Sequence, residues 1–310
     1  MRATLSDPIS GKDVPALKLK GSGLELIAIP DRALDVYSLR FAGTLVSYTD
    51  PRAGISPSNF VEDGVEGFSK NFFAGFLTTC GLIQSGRPCE EGGRRFGLHG
   101  RISNTPCREA EVREDTEAIV VTGVADEIHL EGERMRLERT IRLDLRAPIL
   151  EIRDRVTNFG SEPTPFMIMY HINFGAPFLS EELRLSADFE YVGDRDTGAE
   201  ASAAEAVKMG ARGSSGREKV YYTRADLEKG VRLESPATGV SALIQAEGLN
   251  WLGLWKSFSD PAYALGVEPC NCPGLGRAAA RERGLLPMLM PGETRESAVR
   301  AQFSSWRTMP

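Results

Sequence analysis

Alternation of apolar and polar residues with a period of two dominates this chain, and turn residues interrupt the pattern at short intervals. A period of two is typical of half-buried β-strands, whereas amphipathic helices repeat every 3.6 residues. The pattern predicts the following strands: Leu24–Ile29, Leu34–Phe41, Ala118–Val124, Met135–Leu145, Leu150–Val156, Phe166–Phe174, Val240–Gln245, Tyr263–Val267 and Ser297–Phe303. No helical pattern is comparably clear, so we predict an all-β protein.

The connections between these strands show no domain boundary. Two are long, from about Tyr48 to Lys70 and from about Gly193 to Glu218, and both are rich in glycine and serine. Neither has the character of a linker, and no repeat of fixed period is present. Because large all-β sandwiches often form one domain, we predict a single antiparallel β-sandwich domain over residues 1–310.

Composition and charge limit the classes of partner. The chain is 41% hydrophobic and 26% charged, with a net charge of −6 and no apolar run long enough to cross a bilayer. Its lysines and arginines are interleaved with acidic residues rather than clustered. We therefore expect neither a membrane nor a nucleic-acid partner. The first eight residues lack the apolar core of a secretory signal, which indicates a cytoplasmic protein.

The cysteines give no sign of a metal centre. There are five, an odd number, at spacings that match no common zinc or disulfide framework: Cys80, Cys89, Cys107, Cys270 and Cys272. We expect reduced thiols and no bound metal. Cys80 is interpreted as a small buried hydrophobe, with a nucleophile as the alternative.

One predicted hairpin can be read to the level of register. A two-residue turn at Arg146-Ala147 sets Ile141 against Ile152 and Arg139 against Asp154. The two charged residues each interrupt an otherwise apolar strand face. Since an unpaired buried charge is too costly to tolerate, we predict a buried Arg139–Asp154 salt bridge.

The chain contains only three histidines, which narrows the candidates for proton transfer near neutral pH. His129 lies in an alternating segment and is predicted to face solvent. In Phe166–Phe174 the even positions form an apolar face, so His171 and Asn173 point together to the other side.

Two further segments place polar side chains on one face. If Leu98–Ser103 is extended, His99 and Arg101 share a face. In Tyr263–Glu268 the small residues Ala264 and Gly266 share a face with the carboxylate of Glu268, which leaves room for a ligand.

These motifs carry a family resemblance. Leu98-His99-Gly100 resembles the Leu-His-Gly of aldose 1-epimerases (galactose mutarotases), Tyr170-His171-Ile172-Asn173-Phe174 is similar to their Asn-His-Ser/Thr-Tyr-Phe strand, and Gly266-Val267-Glu268-Pro269 is similar to their late Leu-Glu-Pro/Thr segment. Longer strings resemble an aldose-epimerase-like branch of that superfamily: Phe76–Leu82, Leu98–Asn104, Tyr170–Gly175 and Pro291–Glu293. The similarity spans about Leu24 to Phe303.

The resemblance implies a galactose-mutarotase-like β-sandwich that binds a sugar and interconverts its α and β anomers without a cofactor. By position, Glu268 would be the general base at the anomeric hydroxyl and His171 the acid at the ring oxygen, while His99 would orient the sugar. A carboxylate and an imidazole can supply this chemistry near pH 7 with little tuning.

Other binding residues are predicted from the resemblance, from strand alternation and from side-chain chemistry, with alternatives left open. The predicted substrate-binding set is His99, Arg101, Asn173, Arg32, Trp255 and Lys256. Arg32 is either a ligand-facing arginine or a turn residue, and Arg101 and Lys256 either bind the sugar or have solvated or structural roles. Trp251 and Trp255 are candidates for stacking, although core packing is expected for at least one.

Three departures from the family pattern affect substrate choice. Tyr170 replaces the asparagine before the strand histidine, and Arg101 replaces the second glycine after His99. The family usually has an aspartate in the middle of the chain that binds sugar hydroxyls. Here Asp194 and Asp196 are candidates for it only because of their location in the chain.

The sugar itself can be neutral, acidic or phosphorylated. Arg94, Arg95 and Arg101 flank His99 in sequence, and their planar forks suit an anionic group on the sugar.

Two other classes of function remain open, because a fold does not fix a function. One is a non-catalytic sugar-binding or sensing protein, which would keep His99 and the aromatic residues but would not need an acid and a base. The other is a different carbohydrate isomerase or a lyase on the same fold.

Overall fold

The computed structural model describes residues 1–306. The last four residues of the predicted 1–310 domain lie outside the described residues. The strands, in chain order, are β1 Arg2–Ser6, β2 Asp13–Gly21, β3 Leu24–Ile29, β4 Asp35–Phe41, β5 Thr44–Leu45, β6 Tyr48–Thr49, β7 Ala74–Gly75, β8 Leu77–Leu82, β9 Cys89–Glu91, β10 Arg94–Phe96, β11 Arg108–Glu114, β12 Ala118–Ile128, β13 Arg134–Asp144, β14 Ile149–Asn158, β15 Thr164–Pro165, β16 Met167–Gly175, β17 Arg184–Ser186, β18 Phe189–Asp194, β19 Lys219–Ala225, β20 Val231–Ser235, β21 Val240–Glu247, β22 Trp251–Phe258, β23 Tyr263–Cys270, β24 Met288–Leu289 and β25 Thr294–Ser305.

Helix is confined to short connecting segments. The α-helices are α1 Glu66–Ser69, α2 Ala203–Val207 and α3 Arg277–Glu282, and turns of 3-10 helix lie at Pro30–Arg32, Pro57–Asn59 and Ile102–Asn104. The two long predicted connections contain α1 and α2. Within residues 1–306, no helix is long and apolar enough to span a membrane.

Two large antiparallel sheets form the body of the protein, which confirms the predicted all-β sandwich. The first has eleven strands in the order β1-β2-β3-β4-β8-β16-β23-β22-β19-β18, with β5 paired to β4. The second has eight strands in the order β11-β12-β13-β14-β25-β21-β20-β17.

The hydrophobic core lies between the inner faces of the two sheets. Phe303 of the second sheet contacts Phe41 of the first sheet and Phe76, which directly precedes β8, with ring centroids 5.7 and 6.2 Å apart. Burial of such apolar surface is the main favourable contribution to folding. The opposite face of the first sheet is therefore free to carry polar side chains.

The predicted hairpin register is confirmed. Strand β13 pairs with β14 so that Arg139 lies opposite Asp154 and Ile141 opposite Ile152. Arg139 Nε donates to Asp154 Oδ1 at 2.9 Å and Nη2 donates to Oδ2 at 2.6 Å, with both side chains fully buried. The ion pair is part of the scaffold.

All nine predicted strands are present, β3 with the predicted bounds and the other eight with shifted ones. Strand β4 begins at Asp35 instead of Leu34, because Ala33 and Leu34 adopt left-handed turn conformations. The prediction of an extended Leu98–Ser103 is wrong, since His99 and Gly100 have positive φ and a 3-10 turn begins at Ile102. His129 is exposed as predicted, one residue beyond the end of β12.

Candidate functional site

A row of cross-strand neighbours brings the predicted acid and base together on the first sheet. Strand β16 places His171 opposite Thr78 of β8. Its register with β23, which pairs Met169 with Cys270 and Ile172 with Val267, sets Glu268 opposite His171. Directly opposed residues point to the same face of a sheet. The alternation read from the sequence therefore places both side chains on one surface.

The two side chains are in direct contact. His171 Nε2 lies 3.2 Å from Glu268 Oε1, and both residues are almost completely buried. The contact is not a hydrogen bond, and Glu268 Oε1 is buried without a hydrogen-bond partner among the described residues. The other ring nitrogen, His171 Nδ1, is likewise buried without one. Buried polar atoms of this kind are rare in native proteins and point to an absent ligand or water.

Burial shifts the proton affinity of both groups. It raises the pKa of Glu268 to about 8, opposed by the positive charge of Arg195. It lowers the pKa of His171 to about 4, an effect that the nearby Asn173 side chain partly opposes. Between these values the two groups together hold one proton. Their charged and neutral arrangements differ only in which group carries it.

Glycines on the neighbouring strands make room for this pair. A Cβ at Gly253, opposite Glu268 on β22, would lie 2.4 Å from Glu268 Oε2. A Cβ at Gly266 would lie 2.7 Å from Glu268 Oε1 and 3.1 Å from His171 Cε1. The space predicted beside Gly266 is therefore occupied by the catalytic candidates themselves.

A cavity of about 190 Å³, here called the pair cavity, opens above these two side chains. Its lining includes His99, Trp255, Phe72, Phe68, Arg195, Glu218 and Tyr222. The His171 ring lies 5.2 Å from Phe72 and 5.4 Å from Trp255 between ring centroids. Aromatic walls around a few polar groups are typical of small-molecule sites.

His99 reaches the pair cavity from a strained loop. Its φ of 59° is unusual for a residue other than glycine. The Gly86 N–H donates to its Nδ1 at 3.3 Å, which leaves Nε2 as the protonated nitrogen of a neutral ring. Burial lowers the pKa of His99 well below its usual value, reinforced by His171 and Arg195. His99 is thus held as a neutral hydrogen-bond donor.

A polar network fixes the outer wall of the pair cavity. Trp255 Nε1 donates to Glu218 Oε2 at 2.8 Å, and Arg195 Nη2 donates to Glu218 Oε1 at 2.8 Å. Arg195 Nε also donates to Asp196 at 3.0 Å. The positive charge of Arg195 is therefore balanced by two carboxylates.

The structure places four predicted site residues at the pair cavity: Glu268, His171, His99 and Trp255. Sequence reasoning missed Arg195, Glu218, Phe68 and Phe72, because they lie in long connections where no alternation marks a face. Tyr222 was missed with its strand β19, which was not predicted.

Arg32 does not face the cavity. Its side chain is fully buried, and its nitrogens donate to the main-chain oxygens of Ser103, Ile55 and Asn71. Of the two alternatives for Arg32, the structure supports a turn residue of the scaffold.

Lys256 lies on the opposite face of β22 from Trp255. Its ammonium group donates to the main-chain oxygens of Glu205 and Lys208 at 2.9 and 2.8 Å. Burial lowers the pKa of Lys256 to about 8. It anchors the segment around α2 instead of a ligand.

Asn173 and Arg101 also differ from the prediction. Asn173 shares the face of His171, but its amide is buried below the cavity and donates to the main-chain oxygens of Ala74 and His171. Arg101 is exposed and lies 3.7 Å from Glu62, because the turn at His99 directs it away from the site.

The aspartates considered in mid-chain are held within the scaffold. Asp194 Oδ1 accepts the Asp196 and Thr197 N–H groups, and Oδ2 pairs with Lys219. Asp196 pairs with Arg195 and Arg87. Neither lines the pair cavity.

The cysteines and the other possible metal ligands of residues 1–306 form no metal centre. All five cysteines are free. Over residues 1–306, no three histidine, cysteine, aspartate or glutamate side chains form a group that could hold a metal ion. A larger cleft of about 820 Å³ lies elsewhere, and none of the three histidines lines it.

Comparisons with known proteins agree with this architecture. The profile of the family described as Domain of unknown function (DUF4432) matches residues 11–303. A comparison with curated proteins gives no match.

Several solved structures share the fold. A proposed aldose 1-epimerase from Klebsiella pneumoniae is 21% identical with a TM-score of 0.83, covering 94% of this chain and 79% of the other. A galactose mutarotase-like protein from Clostridium acetobutylicum is 15% identical with a TM-score of 0.73, covering 98% of both chains. Galactose 1-epimerase from Lactobacillus acidophilus is 13% identical with a TM-score of 0.67, covering 98% of this chain and 99% of the other.

At identities this low, the solved structures show a shared fold and nothing more. The family match extends over almost the whole chain. The chain belongs to the family described as Domain of unknown function (DUF4432), and it has the fold of the aldose 1-epimerases and galactose mutarotase-like proteins.

Proposed function

We propose that this protein is an aldose 1-epimerase-type isomerase that interconverts the α and β anomers of a sugar. The observation that carries the proposal is the contact of 3.2 Å between His171 Nε2 and Glu268 Oε1 at the base of the pair cavity. An acid and a base in one buried site, with unpartnered polar atoms beside them, are what a reaction with two proton transfers requires.

The proposed reaction begins at the anomeric carbon. Glu268 accepts the proton of the anomeric hydroxyl while His171 donates a proton to the ring oxygen, and the bond between that oxygen and C1 breaks. Both oxygens are bonded to C1, so an acid and a base in direct contact can reach them together. Rotation about the C1–C2 bond and closure on the other face reverse the two transfers.

The shared proton suits this cycle. The reactive arrangement has Glu268 deprotonated and His171 protonated, and it contains the same number of protons as the neutral pair. A sugar hydroxyl that donates to Glu268 and a ring oxygen that accepts from His171 both favour the charged arrangement. Binding thereby prepares the pair for reaction.

The remaining lining residues position the sugar. His99 presents its Nε2–H as a donor to a hydroxyl group, and the rings of Trp255 and Phe72 contact the apolar faces of the sugar. None of these steps uses a cofactor. We place the reaction in carbohydrate metabolism in the cytoplasm.

The charges at the pair cavity favour an uncharged sugar. The arginines that suggested an anionic substrate lie elsewhere: Arg94 pairs with Glu133, Arg95 with Asp63 and Arg101 with Glu62. The arginine that does line the cavity, Arg195, is balanced by its own carboxylate partners.

The experiment is NMR exchange spectroscopy of anomer interconversion across neutral, acidic and phosphorylated sugars. We expect faster interconversion of at least one neutral sugar with the wild-type protein, and its loss in Glu268→Gln. Binding of a sugar without any acceleration would contradict the proposal and favour a sugar sensor. Formation of a ketose or an unsaturated sugar would indicate a different isomerase or a lyase.

A further inference from the structure

A second cavity of about 240 Å³, here called the outer cavity, adjoins the pair cavity. Arg195 and Tyr222 line both of them. Its walls include Tyr191, Trp251, Leu275 and Arg283, and Gly193, Asp194, Gly198, Pro273 and Leu285 complete the lining. The proposed anomerisation uses none of these residues.

The two cavities lie along one row of the first sheet. The register of β22 with β23 sets Gly253 beside Glu268, that of β19 sets Tyr222 beside Gly253, and that of β18 sets Gly193 beside Tyr222. Residues in such a row point to one face. A ligand seated over Glu268 can therefore continue across Tyr222 into the outer cavity without leaving that face.

The walls of the outer cavity combine flat apolar surfaces with hydrogen-bonding groups. The Tyr191 side chain is substantially exposed, at 41%, and the Trp251 ring is half-buried. Arg283 is exposed and makes no side-chain hydrogen bond or ion pair among the described residues. Aromatic faces cover the apolar C–H faces of a sugar ring, and a guanidinium fork can donate to neighbouring hydroxyls.

From these observations we propose that the outer cavity binds a second sugar residue. The substrate is then a reducing oligosaccharide whose reducing end lies over Glu268 and His171. Its next residue lies against Tyr191 and Trp251. This inference rests on the proposed function for the identity of the first sugar, but the cavity, its walls and its alignment do not depend on catalysis.

The test compares a monosaccharide with disaccharides that have the same sugar at the reducing end, joined through O4 or O6. For the wild-type protein we expect kcat/KM for anomer exchange to be about tenfold higher with a disaccharide of suitable linkage. Tyr191→Ala and Arg283→Ala should each remove most of that preference, while kcat/KM for the monosaccharide changes less than about twofold. Trp306→Ala, which removes an exposed tryptophan outside both cavities, is the matched control.

Equal effects of the variants on both sugars, or no preference in the wild-type protein, would overturn the inference. A preference for a sugar phosphate that Arg283→Ala abolishes would also overturn it, because the outer cavity would then be an anion site. Measuring the binding of the same sugars by ligand-observed NMR separates the test of the outer cavity from the test of the proposed function. If no sugar is anomerised, the proposed function fails, whereas tighter disaccharide binding that Tyr191→Ala removes still supports the outer cavity.

Discussion

At the scale of single residues, the central feature is a carboxyl group and an imidazole that share one proton. Glu268 lies in a site where burial favours its neutral form, and His171 is disfavoured as a cation for the same reason. Neither group alone would then be in the state that acid–base catalysis needs. Their contact resolves this, because the proton lost by one can be held by the other.

Removing either group should remove catalysis without unfolding the protein. We expect Glu268→Gln and His171→Asn each to lower the anomerisation rate by roughly 10²–10⁴-fold, the usual contribution of a positioned acid or base. The comparison is made by NMR exchange at saturating sugar, with circular dichroism as the check on folding. A wild-type rate in either folded variant would remove that residue from the mechanism.

The site side chains that could be predicted are those whose direction is fixed by the alternation of a strand or by a motif. His171 and Glu268 are of this kind, since each lies on a regular strand of the first sheet. For Arg32 and Lys256 the sequence left two roles open, because a long cation can bind main-chain carbonyls as readily as a ligand. Arg195 could not be found because its position depends on a turn between aspartates that bind the scaffold.

At the scale of secondary structure, strands β22 and β23 shape the site through their glycines. Gly253 and Gly266 lie so close to the Glu268 carboxyl group that no other residue at either position would have room for its Cβ. Neither Gly253 nor Gly266 has a positive φ, so the requirement is one of space alone. The close approach of these two strands keeps the Glu268 carboxyl group against His171.

A methyl group at Gly253 should therefore impair catalysis by displacement. In Gly253→Ala the new Cβ meets Glu268 Oε2, and the carboxyl group must move away from its present position. Misplacement by about 1 Å can cost on the order of 10²-fold in rate, and we expect a loss of that size. Gly216→Ala is the matched control, because a Cβ there meets nothing within 4 Å and its φ is not positive. Similar kinetics for both variants would contradict this account of the strands.

The secondary-structure elements could be predicted where apolar and polar residues alternate along the sequence. The register of β13 with β14 was correct because each strand has one apolar face and each face has one charge. Strand β8 was missed because its sequence, Leu77-Thr78-Thr79-Cys80-Gly81-Leu82, does not alternate between apolar and polar residues. The turn at His99 was missed because a left-handed histidine has no local signature, and its correction removed Arg101 from the site.

At the scale of the whole molecule, a buried ionic network joins the two sheets behind the site. Arg139 of the second sheet binds Asp154 and also donates through Nη1 to Asp35 of the first sheet at 3.1 Å. Tyr170, next to His171 on β16, donates its hydroxyl to Asp154 Oδ2 at 2.8 Å. Tyr170 thus points away from the pair cavity and into the scaffold.

Breaking this network should lower stability. We expect Asp154→Ala to reduce the free energy of unfolding by about 3–5 kcal/mol, the usual cost of breaking a buried ion pair, because Asp35 is then the one remaining carboxylate on Arg139. Urea denaturation measures the loss. Glu296→Ala is the control, because its ion pair with Arg155 is exposed and should contribute less than about 1 kcal/mol.

The second carboxylate changes what a matched replacement would do. From the hairpin alone, apolar residues at both Arg139 and Asp154 would be expected to be nearly neutral. Since Asp35 also binds Arg139, the double replacement leaves Asp35 buried without its cation. We therefore expect the double variant to be destabilised as well, with partial recovery when Asp35→Asn is added. A fully stable double variant would show that Asp35 does not depend on Arg139.

The measurement that tests the central claim most directly is the pH dependence of kcat/KM for anomer exchange in the wild-type protein. If Glu268 and His171 share the reactive proton, the rate is constant while the pair holds one proton. It falls below about pH 4, where the pair gains a second proton, and above about pH 8, where it loses the first. A rate that keeps rising through pH 9, or a single limb at the ordinary pKa of a solvated carboxylate, would contradict the shared proton.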